Sequence, residues 1–147
     1  PYVVETSVGA DRLFLATLCN AYRDEPDEEG KPNRTYLKLH PAIAPVKAAI
    51  LPLVRKDGLP EIASKIYDDL KYDFNLIYEE RDSIGKRYTR QDLIGTPFCI
   101  AIDHQTAEDN TVTIRHRDSR TQERVEIAKL RGILDEACSF KRIFEQL

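Results

Sequence analysis

Lys47-Ala48-Ala49-Ile50-Leu51-Pro52-Leu53-Val54 is a near-continuous run of apolar residues. Such a run is typical of a central parallel strand that is buried on both faces. Pro60 then favours the first turn of a helix. The apolar residues of this helix recur with the helical period and would face the sheet: Ile62, Ala63, Ile66, Tyr67 and Leu70. A strand followed by a helix of this kind predicts an α/β layer fold.

Two further strands follow the same pattern. Residues 75–78 and 98–102 are short apolar segments separated by a predicted helix. Ser83 is placed to cap the start of that helix, and Gly95 followed by Pro97 is placed to end it. Because crossovers between parallel strands are right-handed almost without exception, we expect three parallel strands with helices covering their faces.

After Thr111 the side chains alternate strictly between apolar and polar. Val112 and Ile114 would point to one face of a strand, and Thr113, Arg115 and Arg117 to the other. The pattern predicts a hairpin that turns at residues 118–120 and returns through residues 121–127.

A last helix completes the predicted fold. Its apolar residues are expected to be buried: Leu130, Ile133, Leu134, Ala137 and Phe144. The predicted fold class is α/β, a mixed five-stranded sheet with three parallel strands plus an antiparallel hairpin, flanked by helices.

The first third of the chain has a different character. Val3 and Val4 predict a short strand, and residues 13–18 are apolar on nearly every side, as expected of a helix buried against a partner outside this chain. Residues 23–33 are acidic and contain proline and glycine, which predicts a solvated, mobile loop or linker. Residues 34–45 predict a short strand and an extended connector, because their two prolines prevent regular helix.

The composition fits an ordinary globular domain with some additional chain. The 147 residues are 41% hydrophobic and 32% charged with a net charge of −3, so any RNA contact requires a local patch instead of a polybasic tail. No apolar run approaches the roughly 20 residues that cross a bilayer, and no signal peptide is evident. We therefore expect a cytoplasmic protein without membrane contact.

The cysteines and histidines suggest no special chemistry. Cys19, Cys99 and Cys138 are widely spaced among apolar neighbours, which predicts reduced, buried and inert thiols. The histidines at positions 40, 104 and 116 lack metal-ligand spacing. We expect no metal site in this chain.

Residues 5–12 read Glu-Thr-Ser-Val-Gly-Ala-Asp-Arg and lead directly into the apolar helix. A glycine lets the backbone approach a base or a phosphate closely, and Arg12 can stack on a purine or bind phosphate oxygens with two nitrogens. The segment resembles the third signature motif of class II aminoacyl-tRNA synthetases, in which Gly-x-Asp-Arg opens a buried helix in the ATP site. Residues 87–99, Arg-Tyr-Thr-Arg-Gln-Asp-Leu-Ile-Gly-Thr-Pro-Phe-Cys, resemble the anticodon-binding domain of the glycyl-tRNA synthetase family.

The resemblance implies a class IIa anticodon-binding-domain-like fold over residues 41–147. Residues 1–40 would be a strand-helix remnant of the catalytic domain (motif 3) with an acidic linker. The full-length protein would be a glycine–tRNA ligase, a homodimer that uses ATP and Mg²⁺ to attach glycine to tRNA-Gly through glycyl adenylate. This chain would be its C-terminal fragment, inactive alone, without bound cofactor, and mainly responsible for recognising the anticodon.

The resemblance also implies roles in the first segment. Glu5, Thr6, Ser7, Val8 and Gly9 would bind glycine, with Thr6 in place of the usual proline and the Glu5 carboxylate facing the substrate ammonium. Gly9, Ala10, Asp11 and Arg12 would bind ATP. Arg12 would also be the catalytic residue, because it would stabilise charge as pyrophosphate leaves. Without its neighbours, Glu5 would be simply a solvated strand residue and Arg12 a structural ion-pair former.

A second group of candidate residues would contact RNA. Lys86, Arg87 and Arg90 are spaced three and four residues apart and are predicted to share one helix face as a basic patch. Polar residues of the hairpin region would add hydrogen bonds to unstacked anticodon bases: Thr113, Arg115, Arg117, Gln122 and Arg124 as donors, with Asp103 and Asp118 as acceptors. The alternative is that these charges form exposed ion pairs that contribute little to stability.

Two other classes of function also fit parts of the sequence. A non-catalytic accessory or RNA-binding protein derived from a synthetase would have this fold, although it need not retain Glu5, Ser7, Gly9 and Arg12. A small-ligand α/β domain would bind at the carboxyl ends of its strands, but the chain has no Gly-x-Gly-x-x-Gly motif or phosphate-binding loop. Synthetases for threonine, proline and histidine share the fold, so the choice of glycine depends on residues 87–99 and on Glu5 and Ser7.

Overall fold

The structure is a computed structural model that describes residues 2–26 and 32–145. The described strands are β1 (Tyr22–Glu25), β2 (Arg34–Leu37), β3 (Ala48–Pro52), β4 (Leu76–Tyr78), β5 (Phe98–Ile102), β6 (Thr111–His116) and β7 (Gln122–Glu126). The described α-helices are α1 (Ala10–Ala21), α2 (Leu59–Leu70), α3 (Ile84–Ile94), α4 (His104–Asp109), α5 (Leu130–Cys138) and α6 (Phe140–Glu145).

Five strands form one sheet in the order β4-β3-β5-β6-β7. β3 pairs in parallel with both β4 and β5. β6 pairs antiparallel with β5 and with β7. The predicted mixed five-stranded sheet, with three parallel strands and an antiparallel hairpin, is confirmed. β1 and β2 form a separate antiparallel hairpin.

The alternation of side chains along β3 and β5 divides the core into two sides. Ile50 and Ile100 belong to the main apolar cluster, which also contains the buried residues of α2 and α5. Ala49 and Cys99 point the other way and pack against Ile84 of α3. Because both sides of β3 and β5 are covered, these strands read in the sequence as continuous apolar runs.

The apolar stripes of the two core helices are as predicted. Ala63, Ile66 and Leu70 of α2 are buried, and so is Leu134 of α5. The predicted burial of Phe144 is wrong. The helix ends at Ser139, where the backbone turns extended (ψ 131°), so Phe144 lies in α6 with 71% of its surface exposed.

The two ends of α3 differ in how well the sequence predicts them. Ser83 occupies the N-cap position, but its side chain makes no capping hydrogen bond. Gly95 ends the helix as predicted, in the left-handed conformation with φ +82°. A Cβ at this position would lie 2.8 Å from Leu39 Cδ1 and 3.2 Å from the Leu37 carbonyl oxygen, so the connector from β2 passes directly over the helix end.

We expect the substitution Gly95→Ala to lower the free energy of unfolding by about 2 kcal/mol. A left-handed non-glycine residue alone costs roughly 1–2 kcal/mol, and the contact with Leu39 adds strain. Gly132→Ala in α5 is the control, because a Cβ there meets nothing within 4 Å and helix propensity favours alanine by roughly 0.5–1 kcal/mol. Urea unfolding of both variants measures the difference, and an unchanged or stabilised Gly95→Ala variant would contradict this account of the helix end.

The N-terminal region departs most from the sequence prediction. Val3 and Val4 are exposed and lie in no strand. In α1 the only buried residue is Ala21, whereas Leu13 and Phe14 are 60% and 66% exposed. The burial expected of this apolar helix is therefore not found within the described chain.

The predicted acidic loop is partly wrong, because residues 22–25 form β1. This strand pairs with β2 from Tyr22 opposite Leu37 to Glu25 opposite Arg34. The Tyr36 hydroxyl donates to the Glu25 carboxylate at 2.9 Å, so an acidic side chain gains a partner across the hairpin. The predicted mobility of residues 27–31 lies outside the described residues.

Candidate nucleic-acid interface

One side of the β6–β7 hairpin is polar and accessible. Residues that pair across antiparallel strands lie on the same face of a sheet, and the register pairs Thr113 with Arg124 and Arg115 with Gln122. The apolar residues of β6 occupy the opposite, core-facing side. Gln122 is exposed, and Thr113 and Arg124 are half-buried. We call the surface formed by Thr113, Gln122, Arg124 and the adjacent Asp103 the open face.

Asp103 holds Arg124 in place on the open face. Arg124 donates to both oxygens of the Asp103 carboxylate, Nη1 to Oδ2 at 2.7 Å and Nη2 to Oδ1 at 2.9 Å. Asp103 is itself fixed as the N-cap of α4, where it accepts from the Thr106 N–H at 3.1 Å. Because these bonds already fix the Arg124 side chain, ordering it on binding costs little. The side chain remains 27% exposed, so a ligand can reach it.

The Arg124 guanidinium, which donates hydrogen bonds to the Asp103 carboxylate, lowers the pKa of Asp103 from 3.8 to about 2. A depressed folded-state pKa contributes stability that is present above the unfolded pKa and is lost as the pH falls towards the folded value. We expect the gap in unfolding free energy between the chain and its Asp103→Asn variant to shrink as pH falls from about 4 to about 2. Acid titration of chemical unfolding measures this gap, and a constant gap would contradict the assigned pair.

A buried ion cluster lies beside the open face and joins α3, β2 and β6. Arg115 donates to the two oxygens of Asp92 at 2.9 and 3.0 Å, and Arg34 donates to Asp92 Oδ2 at 3.0 Å. These three side chains are only 6–8% exposed. Each guanidinium also lies over a tyrosine ring, Arg115 at 4.7 Å from the centre of Tyr88 and Arg34 at 4.0 Å from that of Tyr36. Arg115, a predicted RNA donor, thus serves first to join elements of the fold.

Arg117 also has structural partners. Its side chain is 2% exposed and donates from Nη1 to the Gly95 carbonyl and from Nη2 to the Leu39 carbonyl, both at 2.7 Å. Its Nε donates to Asp118, the other predicted base acceptor, at 2.7 Å. Arg117 therefore ties the β2 connector to the end of α3.

The predicted division of the chain into a catalytic-domain remnant (residues 1–40) and an anticodon-binding domain (residues 41–147) stays a prediction.

The predicted basic face of α3 is wrong for one of its three members. Arg87 is 1% exposed and donates to the carbonyls of Pro52 at 2.7 Å and Leu53 at 3.2 Å. Burial lowers its pKa. Lys86 is exposed, and Arg90 is half-buried beside acidic residues of the β4–α3 loop. Helical spacing brings Lys86 and Arg90 to one side, whereas Arg87 points towards the carboxyl ends of β3 and β4.

Asp92, Tyr88 and Arg34 were not among the predicted site residues. Asp92 and Tyr88 lie at positions i+8 and i+4 from Ile84, on the inner stripe of α3. A carboxylate on such a stripe indicates a buried cation opposite it, because an unpaired buried charge is strongly unfavourable. That signal was present in the sequence, but it does not indicate which arginine is the partner.

The N-terminal candidate residues are together but uncovered. Residues 5–12 are all exposed, and α1 begins after Gly9, whose backbone is ordinary extended chain (φ −69°). The start of α1 has no side-chain cap, so its free N–H groups and Arg12 form a donor set that suits a phosphate or a purine nucleotide. Residues 2–26 and 32–145 contain no group of three or more His, Cys, Asp or Glu side chains that could hold a metal ion.

Two further observations concern the described part of the chain. No helix there has the length and apolar character that a membrane span requires.

The three cysteines are free. The predicted burial is wrong for Cys19, which is exposed on α1. Burial raises the pKa of the Cys99 thiol to about 12.

The sequence comparisons agree with the fold. Residues 47–137 match the family model described as anticodon binding domain, and the chain belongs to this family. The chain is 54% identical over 130 residues to a glycine–tRNA ligase of Borrelia hermsii. The matched region covers 88% of this chain and 29% of the relative. It is 51% identical over 140 residues to a glycine–tRNA ligase of Lysinibacillus sphaericus, covering 95% of this chain and 30% of the relative. The resemblance to glycyl-tRNA synthetases is confirmed, and the chain spans about a third of the length of these relatives.

Solved structures agree on the fold. The RNA binding domain of threonyl-tRNA synthetase from Cryptosporidium parvum Iowa II has a TM-score of 0.61 at 22% identity, over 68% of this chain and 25% of that one. Prolyl-tRNA synthetase from Cryptosporidium parvum has a TM-score of 0.63 at 21% identity, over 75% of this chain and 24% of that one. The predicted anticodon-binding-domain fold is confirmed.

Proposed function

We propose that this chain is the anticodon-recognising part of a glycine–tRNA ligase and that the open face contacts the anticodon loop of tRNA-Gly. The observation that carries the proposal is the pre-oriented Arg124 between Thr113 and Gln122, on a sheet surface of a chain in the anticodon-binding domain family. Single-stranded RNA is read by side chains that stack on and hydrogen-bond to unstacked bases. Arg124 offers a fixed guanidinium plane on which a base can stack, since its N–H groups already donate to Asp103, Thr111 and Thr113. Gln122 offers an amide that can donate and accept.

Binding of tRNA-Gly to the purified chain tests the proposal. We expect weak binding at low salt that falls as salt rises, because contacts to phosphates release counterions. An unrelated tRNA of the same length is the control for anticodon dependence. An affinity that does not change with salt concentration, or no binding at low salt, would count against the RNA assignment.

We further propose that residues 5–12 belong to the aminoacylation site of the longer enzyme. Glu5, Thr6, Ser7, Val8 and Gly9 would bind glycine, and Gly9, Ala10, Asp11 and Arg12 would bind ATP. Support comes from the open helix start beside Arg12 and from the identity to glycine–tRNA ligases. Mg²⁺ would assist through residues elsewhere in the enzyme. The longer enzyme would be a homodimer and would act in the cytoplasm.

The chain alone is expected to be inactive in glycine-dependent pyrophosphate exchange. Residues 5–12 are all exposed here, and catalysis of this type depends on enclosing and positioning the reactants. Exchange by the purified chain would refute this proposal. In the longer enzyme, unchanged glycine charging after Arg12→Ala would refute the role of Arg12.

A further inference from the structure

The β1–β2 hairpin connects the helix that carries Arg12 to the rest of the fold. α1 ends at Ala21, and β1 begins at the next residue, Tyr22. The joint between them is packed, because Ala21 is 3% exposed and lies in an apolar cluster with Leu39. The Ala21 carbonyl also accepts from the Lys38 N–H at 2.7 Å. α1 therefore continues directly into the hairpin, and the direction of one is tied to that of the other.

Arg34 of β2 fastens this hairpin to the domain that carries the open face. Its guanidinium donates to Asp92 Oδ2 of α3, from Nη2 at 3.0 Å and from Nε at 3.3 Å. Nη2 also donates to the carbonyl of Arg117, just after β6. The Arg34 side chain is buried and lies 4.0 Å from the centre of the Tyr36 ring. One buried side chain thus joins the hairpin to both α3 and the end of β6.

We propose that Arg34 is a positioning residue for the transfer of glycine to tRNA. The inference rests on the proposed function, in which α1 belongs to the aminoacylation site and the open face contacts the anticodon loop. By fixing the hairpin, Arg34 sets the orientation of the open face relative to α1. The anticodon and the acceptor end lie at opposite ends of a tRNA, so this orientation decides where the acceptor end meets the aminoacylation site.

Small rotations at the joint would produce large displacements. Arg12 lies about 14 Å from Ala21 along α1, at about 1.5 Å per residue, so a rotation of about 10° moves it by about 2 Å. A misplacement of about 1 Å far from the chemistry can lower a rate about 100-fold. The acceptor end of a bound tRNA is further from the joint than Arg12, so its displacement is larger still. Transfer to tRNA therefore depends on a rigid hairpin.

Arg34→Met loosens the hairpin while the rest of the ion cluster remains paired. Methionine is an unbranched, adaptable side chain that can still cover the Tyr36 ring, but it donates no hydrogen bond. Asp92 keeps Arg115, which donates to both of its oxygens at 2.9 and 3.0 Å. Arg34→Lys is the conservative variant, because a lysine retains the charge that pairs with Asp92.

Two further variants separate the role of the joint from the loss of a charge. Insertion of two glycines between Ala21 and Tyr22 gives the joint conformational freedom and leaves Arg34 and the open face unchanged. Arg131→Met is the matched control. Arg131 also joins two elements through an ion pair, α5 to Asp69 of α2, but it lies outside the hairpin.

The test measures three properties of the longer enzyme, at a temperature where circular dichroism shows each variant folded. Glycine-dependent pyrophosphate exchange reports adenylate formation, which needs no tRNA. The other two are the affinity for tRNA-Gly and the single-turnover rate of glycine transfer at saturating tRNA. We expect Arg34→Met and the glycine insertion to lower the transfer rate roughly tenfold or more, with exchange and affinity within about twofold of the unchanged enzyme. Arg34→Lys should recover most of the transfer rate, and Arg131→Met should change none of the three properties.

The outcomes that overturn the proposal differ from one another. If Arg34→Met lowers exchange as much as transfer, Arg34 only supports the fold. If it lowers the affinity for tRNA-Gly and leaves transfer at saturation unchanged, Arg34 contacts the RNA directly and is not a positioning residue. If nothing changes, the attachment of the hairpin does not matter for transfer. If the unchanged enzyme neither activates glycine nor binds tRNA-Gly, the proposed function fails and the positioning role fails with it.

Discussion

Replacement of Asp92 by alanine is expected to lower the free energy of unfolding by about 3–5 kcal/mol, the usual effect of removing one partner from a buried ion pair. Asp92 is 6% exposed and accepts from both Arg34 and Arg115. Its loss would leave two buried guanidinium groups without a carboxylate. It would also weaken the attachment of β2 to α3, because Arg34 of β2 donates to Asp92 of α3.

Asp68→Ala is the matched control for this experiment. Asp68 is also an aspartate on a helix and pairs with Lys71 at 2.6 Å, but its side chain is 58% exposed. Removing it should cost under about 1 kcal/mol. Urea unfolding of both variants at neutral pH gives the comparison, with Asp92→Asn as a milder change at the same position. If Asp92→Ala costs no more than Asp68→Ala, the buried cluster does not hold the two hairpins and α3 together.

The second large effect concerns RNA binding. We expect Arg124→Ala to weaken binding of tRNA-Gly at low salt by roughly tenfold or more, because stacking of one base on a side chain contributes about 1–3 kcal/mol. If the lost contact is to a phosphate, the slope of log affinity against log salt should also fall by about one. Asp103→Asn should weaken binding less, since it removes the support of the guanidinium and leaves the cation itself.

Arg131→Ala controls for the loss of one positive charge. Arg131 is an exposed arginine that also pairs with aspartates, Asp69 and Asp73, but it lies on α5, among the helices on the other side of the sheet. Its substitution should leave tRNA binding nearly unchanged. Equal losses for Arg124→Ala and Arg131→Ala would indicate a general charge effect and would contradict a specific role for the open face.

The sheet and its core helices could be predicted because their sequence patterns have local causes. Ile50 and Leu51 lie in a continuous apolar run, since α2 and α3 cover opposite sides of β3. Val112 and Ile114 alternate with polar residues because only one side of β6 faces the main core. Periodicity of this kind depends only on which sides of a strand are buried, so it can be read from the sequence of each strand alone.

The roles of the arginines could not be predicted in the same way. Arg115, Arg117 and Arg124 follow the same alternating pattern, yet two are buried and one is partly exposed. The difference depends on distant partners, Asp92 on α3, the carbonyl of Leu39 and Asp103 after β5. β1 was missed for a related reason, because its acidic residues are compensated by residues of β2. Contacts between residues far apart in sequence leave no periodic signal.

The most direct test of the central claim is to map where the anticodon stem-loop of tRNA-Gly touches the chain, by amide chemical-shift changes during a titration at low salt. The account predicts that the changes concentrate on Thr113, Gln122 and Arg124. Changes concentrated on α2 and α5 across the sheet, or a titration that changes nothing, would contradict it.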